Sequence, residues 1–559
     1  MDNYSIADHF SLLAKLMDIH GENSFKSKSY SVAAFNIEKL PLALADTPRE
    51  KLAGLKGIGD SVSKKIIELL DTGQLQTLND YLARTPSGVT EMLNIKGLGP
   101  KKINTIWKEM GIESIGELLY ACNENRLTLF KGFGEKTQKN VQEAIEFYLQ
   151  NQGIYLYAQI EPLATSILKK LQDRFPEHQT ETTGAFRRQS ETIEAVEYCT
   201  TIPAADIILF FNNNGFGLQE QTDRFIIFKD AENITLKFYT AAAEMFFYTL
   251  FSTSCSEEFF TEWKKISNWS DEAQFESEAA IFTQSDVPYI IPAMREKAAV
   301  IEKAKQGKLS PVITTADVRA VIHSHSNWSD GVSSIEEMAK ELIKRGFEYL
   351  VISDHSKSAF YANGLTEERI RAQHRYIDEL NAQLHPFKIF KSIECDILND
   401  GSLDYSNDIL STFDLVIASV HSNLKMTAEK AMSRLLTALS NPYVTILGHM
   451  TGRLLLSRQG YPVDHTTIID ACAANKVVIE LNAHPRRLDI DWRWIELATD
   501  KGVLISIDPD AHAIEGFDDI RYGVLAAQKA GLTREQNLSS YSLKQFEAYL
   551  QSRKEVKGL

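Results

Sequence analysis

Six of the chain's thirteen histidines fall, together with carboxylates, at the C-terminal ends of short apolar runs. The first run ends in His323-Ser-His325 with Asp330 just beyond, the second in Asp354-His355, and the third in Glu394 and Asp396. The fourth ends in His421, the fifth in His449 and the last in Asp510-Ala-His512. Residues i and i+2 of a strand face one side, so His323 and His325 can chelate one ion together. A lone buried histidine is usually structural; six grouped with carboxylates read as a metal centre. Imidazole and carboxylate without thiolate suit Mn2+, Zn2+ or Fe rather than a soft metal. Closely spaced dications lower the pKa of a bound water, so that a metal-bound hydroxide is the nucleophile, and they neutralise the phosphate under attack. No side-chain nucleophile is then needed. Lys357 and Arg453 are candidates for gripping the phosphate, Arg453 through its bidentate fork.

Seven apolar runs must position these groups: Ala320–His323, Tyr349–Ser353, Lys388–Glu394, Leu415–Ser419, Val444–Gly448, Val477–Leu481 and Val503–Ile507. Most are followed by a helical pattern, which predicts a parallel barrel with its site at the strand C-terminal ends. Upstream, residues 151–240 have a mixed α/β texture, with Ile207–Phe211 and Phe225–Phe228 read as buried strands. The stretch 241–312 is less regular and ends in a charged helix-like linker. Residues 1–150 read as helical. A five-residue pattern recurs there: Leu55-Lys-Gly57-Ile-Gly59, Ile95-Lys-Gly97-Leu-Gly99 and Phe130-Lys-Gly132-Phe-Gly134. This is the helix-hairpin-helix signature, in which two glycines permit a tight turn and the next helix offers N–H groups to a phosphate. Lys64, Lys65, Lys101, Lys102, Lys136 and Lys139 follow the hairpins and add positive charge. Three copies favour sequence-tolerant binding to a DNA backbone over a plain helical turn.

The formal charge of −15 speaks against a polyanionic partner until it is divided. Residues 1–150 hold 18 Lys+Arg against 19 Asp+Glu, leaving 42 against 56 for the remainder, so the acid load lies where cations are expected. The five cysteines are scattered without a CxxC pair, which excludes a disulfide framework and a zinc ribbon. No signal-peptide pattern and no membrane-length apolar run is present. The expectation is a cytoplasmic protein without membrane attachment, monomeric, with three or four domains.

The C-terminal motifs resemble the PHP (polymerase and histidinol phosphatase) family over about 318–559. They are the H-x-H opening, Asp330, "SDH" at 353–355, "IECDIL" at 393–398, "SVHS" at 419–422, "GHMTGR" at 448–453 and "DAH" at 510–512. The resemblance implies a distorted seven-stranded barrel holding three divalent ions, Mn2+ or Zn2+ or Fe. One ion would sit on His323, His325, Glu394 and Asp510, and a second on Asp330, His355 and His512. A third would sit on Glu394, His421 and His449, with Glu394 bridging.

The whole chain is similar to the bacterial family X DNA polymerases. "GENSFKSKSYSVAAFNIEKL" at 21–40 resembles their first helices, "GAFRRQSETIEAVE" at 184–197 their palm motif, and "VPYIIPAMRE" at 287–296 the end of the polymerase core. The resemblance implies a lyase-like helix-hairpin-helix domain at 1–82, a fingers-like one at 83–150, a palm at 151–240, a thumb-like region and linker at 241–312, and the PHP domain at 313–559. The palm departs from its family. Its metal-binding aspartates align with Ala195, Glu197 and Lys237, and the serine of the triphosphate site with Ala185. Nucleotidyl transfer needs carboxylates to hold two Mg2+ ions, so polymerisation is not expected. Lys65 aligns with the Schiff-base lysine of members with lyase activity. The expected function is a metal-dependent 3′→5′ exonuclease or 3′-end trimmer in DNA repair, acting on gapped, nicked or 3′-recessed DNA. The alternatives are an active gap-filling polymerase with an accessory PHP nuclease, a non-catalytic DNA-docking scaffold, and a small-molecule phosphatase.

Overall fold

The computed structural model describes residues 1–558 except 124–125, 151–152, 232, 268, 271–272 and 457–458. The chain divides into two units, Met1–Gln152 and Gly153–Leu559. The first is helical around one continuous apolar core that runs from Ile6 to Ile145. All three repeats turn alike: Gly57, Gly97 and Gly132 have φ of +81°, +89° and +93°, the left-handed region that a side chain resists. Gly59 and Gly99 then cap the helices beginning at Asp60 and Pro100, and Gly134 precedes the helix Glu135–Gln150. Among the described residues no helix is long and apolar enough to cross a membrane.

The second unit begins with a five-stranded sheet in the order Thr180–Thr183, Val196–Thr200, Thr235–Thr240, Phe225–Lys229, Gly217–Gln221. Phe225–Lys229 is the expected strand, with Ile226 and Phe228 alternately buried. Ile207–Phe211, expected as a strand, is instead inside the helix Ala204–Asn212. A run of five apolar residues fits either element. Pro203 at the N-cap and burial of Ile207 and Phe211, one helical repeat apart, decide it, while Leu209 on the opposite face is 64% exposed. Among the described residues, four α-helices between Phe246 and Lys305 then pack around Phe251, Phe259, Trp263 and Phe282.

The remainder is a ring of parallel strands. Ala320–Val321, Tyr349–Ile352 and Lys388–Lys391 form one arc, and Glu394–Asp396, Val416–Ser419, Val444–Leu447, Val478–Asn482 and Ile505–Asp508 the other. The run Lys388–Glu394, expected as one strand, is broken at Ser392-Ile393. Pairing continues across the break, since Ser392 N–H donates to Ile352 O (2.9 Å) and Ile417 N–H to Ile393 O (3.0 Å). The ring closes where His325 N–H donates to Ala511 O (2.8 Å) beside a Ser324–Ala511 bridge. The strands therefore act as seven. Helices including Ile335–Arg345, Glu367–Leu384, Ala428–Leu439 and Ile520–Lys529 cover the outside. The interior is filled by Tyr349, Val351, Phe390 and Ile446 against Phe546 and Leu550 of the C-terminal helix Leu543–Lys557. Phe546 stacks on Tyr349 with ring centroids 4.6 Å apart. This plug makes the barrel a packed support for its strand ends. Phe546→Ala should cost about 3–5 kcal/mol, read as an earlier urea midpoint for the barrel's unfolding transition.

Candidate metal centre

Of the groups singled out at the strand ends, the six histidines with Asp330, Glu394 and Asp510 converge on one cluster, while Asp354 and Asp396 lie behind it. Two of them hold unusual backbone: His323 has φ +60° and Asp510 φ +52°. Each left-handed non-glycine residue costs on the order of 1–3 kcal/mol and persists only where its surroundings over-determine it. Here the closing pairs at Ser324–Ala511 and His325–Ala511 hold both turns and aim the side chains inward. Gly448, just before His449, packs so closely that a Cβ there would lie 2.2 Å from Ser419 Oγ. A side chain at 448 would require Ser419 to turn its hydroxyl away and Ile417 to give way.

Glu394 is the centre of the cluster. Its Oε1 lies 2.9 Å from His449 Nε2, 3.1 Å from His421 Nε2 and 3.3 Å from His323 Nε2. Its Oε2 lies 3.0 Å from His355 Nδ1 and 3.6 Å from His325 Nε2. Asp510 Oδ1 is 3.1 Å from His325 Nε2 and 3.5 Å from His323 Nε2. Asp330 Oδ2 is 3.5 Å from His512 Nε2 and 3.6 Å from His355 Nε2. Three groups are tight enough to hold an ion: His325, Asp330, His355 and His512; His323, His325 and Asp510; His355, Glu394 and His421. These groups differ from the sets the resemblance implies: Glu394 is not grouped with His323, His325 and Asp510, His325 joins the Asp330 group, and His355 rather than His449 stands with Glu394 and His421, although His449 Nε2 also approaches Glu394.

The electrostatics are those of a cation site. Burial opposes charge on every member, yet the carboxylates Glu480, Asp510 and Glu394 drive the His323 pKa well above the ordinary imidazole value. Against the same pull of burial, Glu394 and Asp396 raise His421 to about 10, and Asp330 and Asp510 raise His512 to about 9. Despite burial, the surrounding histidines hold Glu394 and Asp510 well below the carboxylate range. His325, buried beside His355 and His512, falls to about 3. Buried polar atoms are almost always hydrogen-bonded. Nevertheless His323 Nε2, His325 Nδ1, His355 Nδ1, His449 Nδ1 and Glu394 Oε2 have no hydrogen-bond partner. Five such atoms in one cluster of imidazole and carboxylate fit hard or borderline divalent cations.

Three carboxylates support this layer from behind. Glu480 accepts from His323 Nδ1 and from the His449 backbone N–H, so one side chain orients two ligand candidates. Asp396 accepts from His421 Nδ1. Asp354 stands outside the cluster and is satisfied by Ser326, Ser329 and Gln373. Glu480 escaped the sequence reading because it lies inside the apolar run Val477–Leu481. A glutamate inside an otherwise apolar run was the available signal, since such a run is expected to be buried and glutamate is seldom buried unpaired.

Residues 1–75 match the helix-hairpin-helix domain family, 89–146 the SAM-like helix-hairpin-helix tandem, and 322–484 the PHP domain. The chain is 32% identical to the "DNA polymerase/3′-5′ exonuclease PolX" of Bacillus subtilis over 566 residues, covering 96% of this chain and 97% of that one. The chain belongs to the family X DNA polymerases that carry a PHP domain. The chain is also 25% identical over 250 residues to a probable phosphatase of Thermoanaerobacter sp. (strain X514), covering 42% of this chain and 96% of that protein. A probable phosphatase of Acetivibrio thermocellus is 30% identical over 169 residues, or 29% of this chain and 64% of its own.

The residues at the palm-motif positions are engaged with neighbours inside the protein. Glu197 stands directly opposite Lys237 in the parallel pair Val196–Thr200 and Thr235–Thr240. Its carboxylate accepts from the Ala185 N–H (3.2 Å) and the Tyr239 hydroxyl (3.0 Å). Lys237 Nζ lies over the rings of Phe225 and Tyr239, 4.6 and 4.5 Å from their centroids. Ala195 offers no ligand atom, and Glu194 is exposed. Glu191 is held by the barrel, and this corrects the reading of Arg453. That guanidinium bonds Glu191 and Asp491 and donates from Nε to Arg487 O (3.0 Å), so its fork is filled and is not a phosphate clamp. Arg487 is the guanidinium near the cluster, its Nε 3.6 Å from Asp510 Oδ2. Lys357 is 44% exposed, with Nζ 3.8 Å from Glu367. In the first unit Lys65 Nζ donates to Thr77 Oγ1 (2.5 Å), Lys102 Nζ to Gly97 O (3.1 Å), and Lys101 is exposed.

A carboxylate behind a ligating histidine fixes its tautomer and raises its basicity, and its loss typically costs 10–100-fold in metal affinity. Glu480→Gln should therefore weaken Mn2+ binding by about that factor with the fold intact, as read by competitive metal titration alongside circular dichroism.

Proposed function

We propose that this protein is a DNA-binding, metal-dependent phosphoesterase that shortens 3′ ends in DNA repair, and that its palm no longer polymerises. The observation that carries the reading is a contrast between two sites in one chain. In the barrel, nine residues (His323, His325, Asp330, His355, Glu394, His421, His449, Asp510 and His512) converge, with orphaned ligand atoms among them. In the palm, the single remaining carboxylate, Glu197, is already satisfied by a backbone amide and a phenol.

The donor set suits three divalent ions, Mn2+ or Zn2+ or Fe, with Glu394 shared between two. Bound there, such ions activate water and neutralise phosphate charge. The protein's own groups do the rest. Glu480 and Asp396 orient the imidazoles of His323 and His421, and Arg487, beside Asp510, and the part-exposed Lys357 are the candidates we offer for binding phosphate oxygens. The exonuclease named in the Bacillus subtilis relative supports a DNA end as substrate over a small phosphate ester, as do the three hairpins. Gapped, nicked and 3′-recessed DNA share such an end.

Hairpin contacts go to phosphates, so binding should be sequence-tolerant and fall steeply with salt. Replacing Gly97 and Gly99 by valine should weaken binding to gapped DNA while leaving hydrolysis of bis(p-nitrophenyl) phosphate unchanged, as read by fluorescence anisotropy and absorbance. Parental affinity in that variant would show the hairpins to be structural.

The decisive assay incubates labelled gapped and 3′-recessed DNA with Mn2+, with and without dNTPs. Shortening is expected from the wild-type chain, with loss of at least about a hundredfold in His323→Ala or Glu394→Ala, the order seen when one transition-state electrostatic contact is removed. A His323→Ala, Asp510→Ala double variant, which cannot degrade its own products, should extend nothing. Template-directed extension by that variant would instead make the protein a gap-filling polymerase.

A further inference from the structure

The strand Val478–Asn482 sends two polar side chains toward the cluster, Glu480 and Asn482. Residues i and i+2 of a strand face one side, so Asn482 follows Glu480 to the strand end. Asn482 is fully buried, and its carboxamide is bonded at both ends. Nδ2 donates to Asp510 Oδ2 (3.1 Å) and lies 3.4 Å from Glu480 Oε2. Oδ1 accepts from the His484 N–H (3.1 Å), which makes an Asx-turn. These partners fix the orientation of the amide. A backbone N–H on one side requires the oxygen, and two carboxylates on the other require the NH2. The strand end itself is held, since the Asn482 N–H donates to Asp489 O (2.7 Å) and the Ala483 N–H to Asp508 O (2.7 Å).

Asp510 is therefore met differently on its two oxygens. Oδ1 faces the imidazoles, 3.1 Å from His325 Nε2 and 3.5 Å from His323 Nε2. Oδ2 faces Asn482 Nδ2 and, at 3.6 Å, Arg487 Nε. Arg487 belongs to the turn that Asn482 begins, since its N–H donates to His484 O (2.7 Å). Its guanidinium is 20% exposed and so connects the buried carboxylate with solvent. The left-handed backbone at Asp510 (φ +52°) takes this residue out of strand geometry, and these contacts aim its side chain.

We propose that Asn482 is a positioning residue that holds Asp510 as a one-oxygen ligand, with Oδ1 given to an ion and Oδ2 kept with the carboxamide and Arg487. This inference rests on the reading of the barrel as a catalytic metal centre and adds what keeps that centre open. A carboxylate that gave both oxygens to one ion would fill two of its positions, whereas a catalytic ion keeps a position free for water or substrate. Hydrogen bonds to a ligating carboxylate from behind set its orientation in the same way that a carboxylate sets an imidazole. Asn482 touches no reacting atom and acts through Asp510. The same carboxamide registers the turn from His484 to Arg487 against the cluster, because one end binds the ligand and the other binds the turn.

The test compares the full wild-type chain with Asn482→Ser and Asn482→Asp. Both substitutions keep an acceptor for the His484 N–H and lose the donor to Asp510. Aspartate also keeps the shape of the side chain, so it carries the test if the serine variant does not fold. Each chain is loaded with Mn2+, and the readouts are ions retained per chain, relaxation of solvent water protons, and hydrolysis of bis(p-nitrophenyl) phosphate. Bound Mn2+ relaxes water protons in proportion to the coordination positions it leaves to water. Both variants should retain the wild-type number of ions, relax water less per ion, and lose about 10–100-fold in kcat with a much smaller change in KM. Wild-type relaxation and kcat in the variants overturn the proposal and leave the metal-centre reading standing. Loss of ions from the variants overturns it as well, since Asn482 would then support binding rather than the mode of ligation. A wild-type chain that retains no Mn2+ overturns the metal-centre reading, and the proposal with it.

Discussion

One buried carboxylate organises the catalytic half of this protein. Glu394 lies within 3.6 Å of five imidazoles contributed by four different strand ends. An ionised carboxylate taken out of water costs several kcal/mol unless it is paired, so the barrel must deliver positive charge to that point. The parallel strands, the left-handed turns at His323 and Asp510, and the glycine beneath His449 all serve that delivery. The plug formed by Phe546 and Leu550 keeps the strand ends from shifting. Glu480 and Asp396 then complete a chain of carboxylate, imidazole and carboxylate in which each member fixes the next.

The same physical rule accounts for the palm. A cluster of acidic groups is stable only with cations to hold it, and two dications at close range repel by on the order of ten kcal/mol even at an effective dielectric near 20. With Ala195 and Lys237 where the resemblance to the family leads one to expect aspartates, the charges present find partners within the protein. Glu197 takes a backbone amide and a phenol. Arg188 pairs with Glu296, which also binds the buried Lys529 of the barrel (2.7 Å). Glu191 pairs with Arg453, and Glu161 with Arg521. Charges of the palm region now fasten it to the PHP barrel. These pairs make the palm region part of the scaffold that holds the loop from His449 to Arg453.

Much of this was legible in the sequence because strands repeat every two residues and ligands must gather at one end of a parallel barrel. His323-Ser-His325 and Asp510-Ala-His512 declare both constraints locally. Glycine spacing likewise declares the hairpins, since a positive φ at Gly57, Gly97 and Gly132 is a property of the turn itself. The failures share a cause, dependence on partners distant in sequence. Arg453 looked like a free fork because its partner Glu191 lies 262 residues away. Glu480 was hidden in an apolar run because its reason for being there, His323, lies 157 residues upstream. The helix over Ile207–Phe211 was misread because five consecutive apolar residues carry no period, and only packing against the sheet selects one.

The central claim is that the chain has one catalytic metal centre and that it lies in the barrel. The most direct measurement is the number of Mn2+ ions retained per chain, by elemental analysis after loading and gel filtration, in the wild-type protein and in Glu394→Ala. Three ions in the wild type and a large loss in the variant are predicted. One ion or none in the wild type, or an undiminished content in Glu394→Ala, would contradict the account.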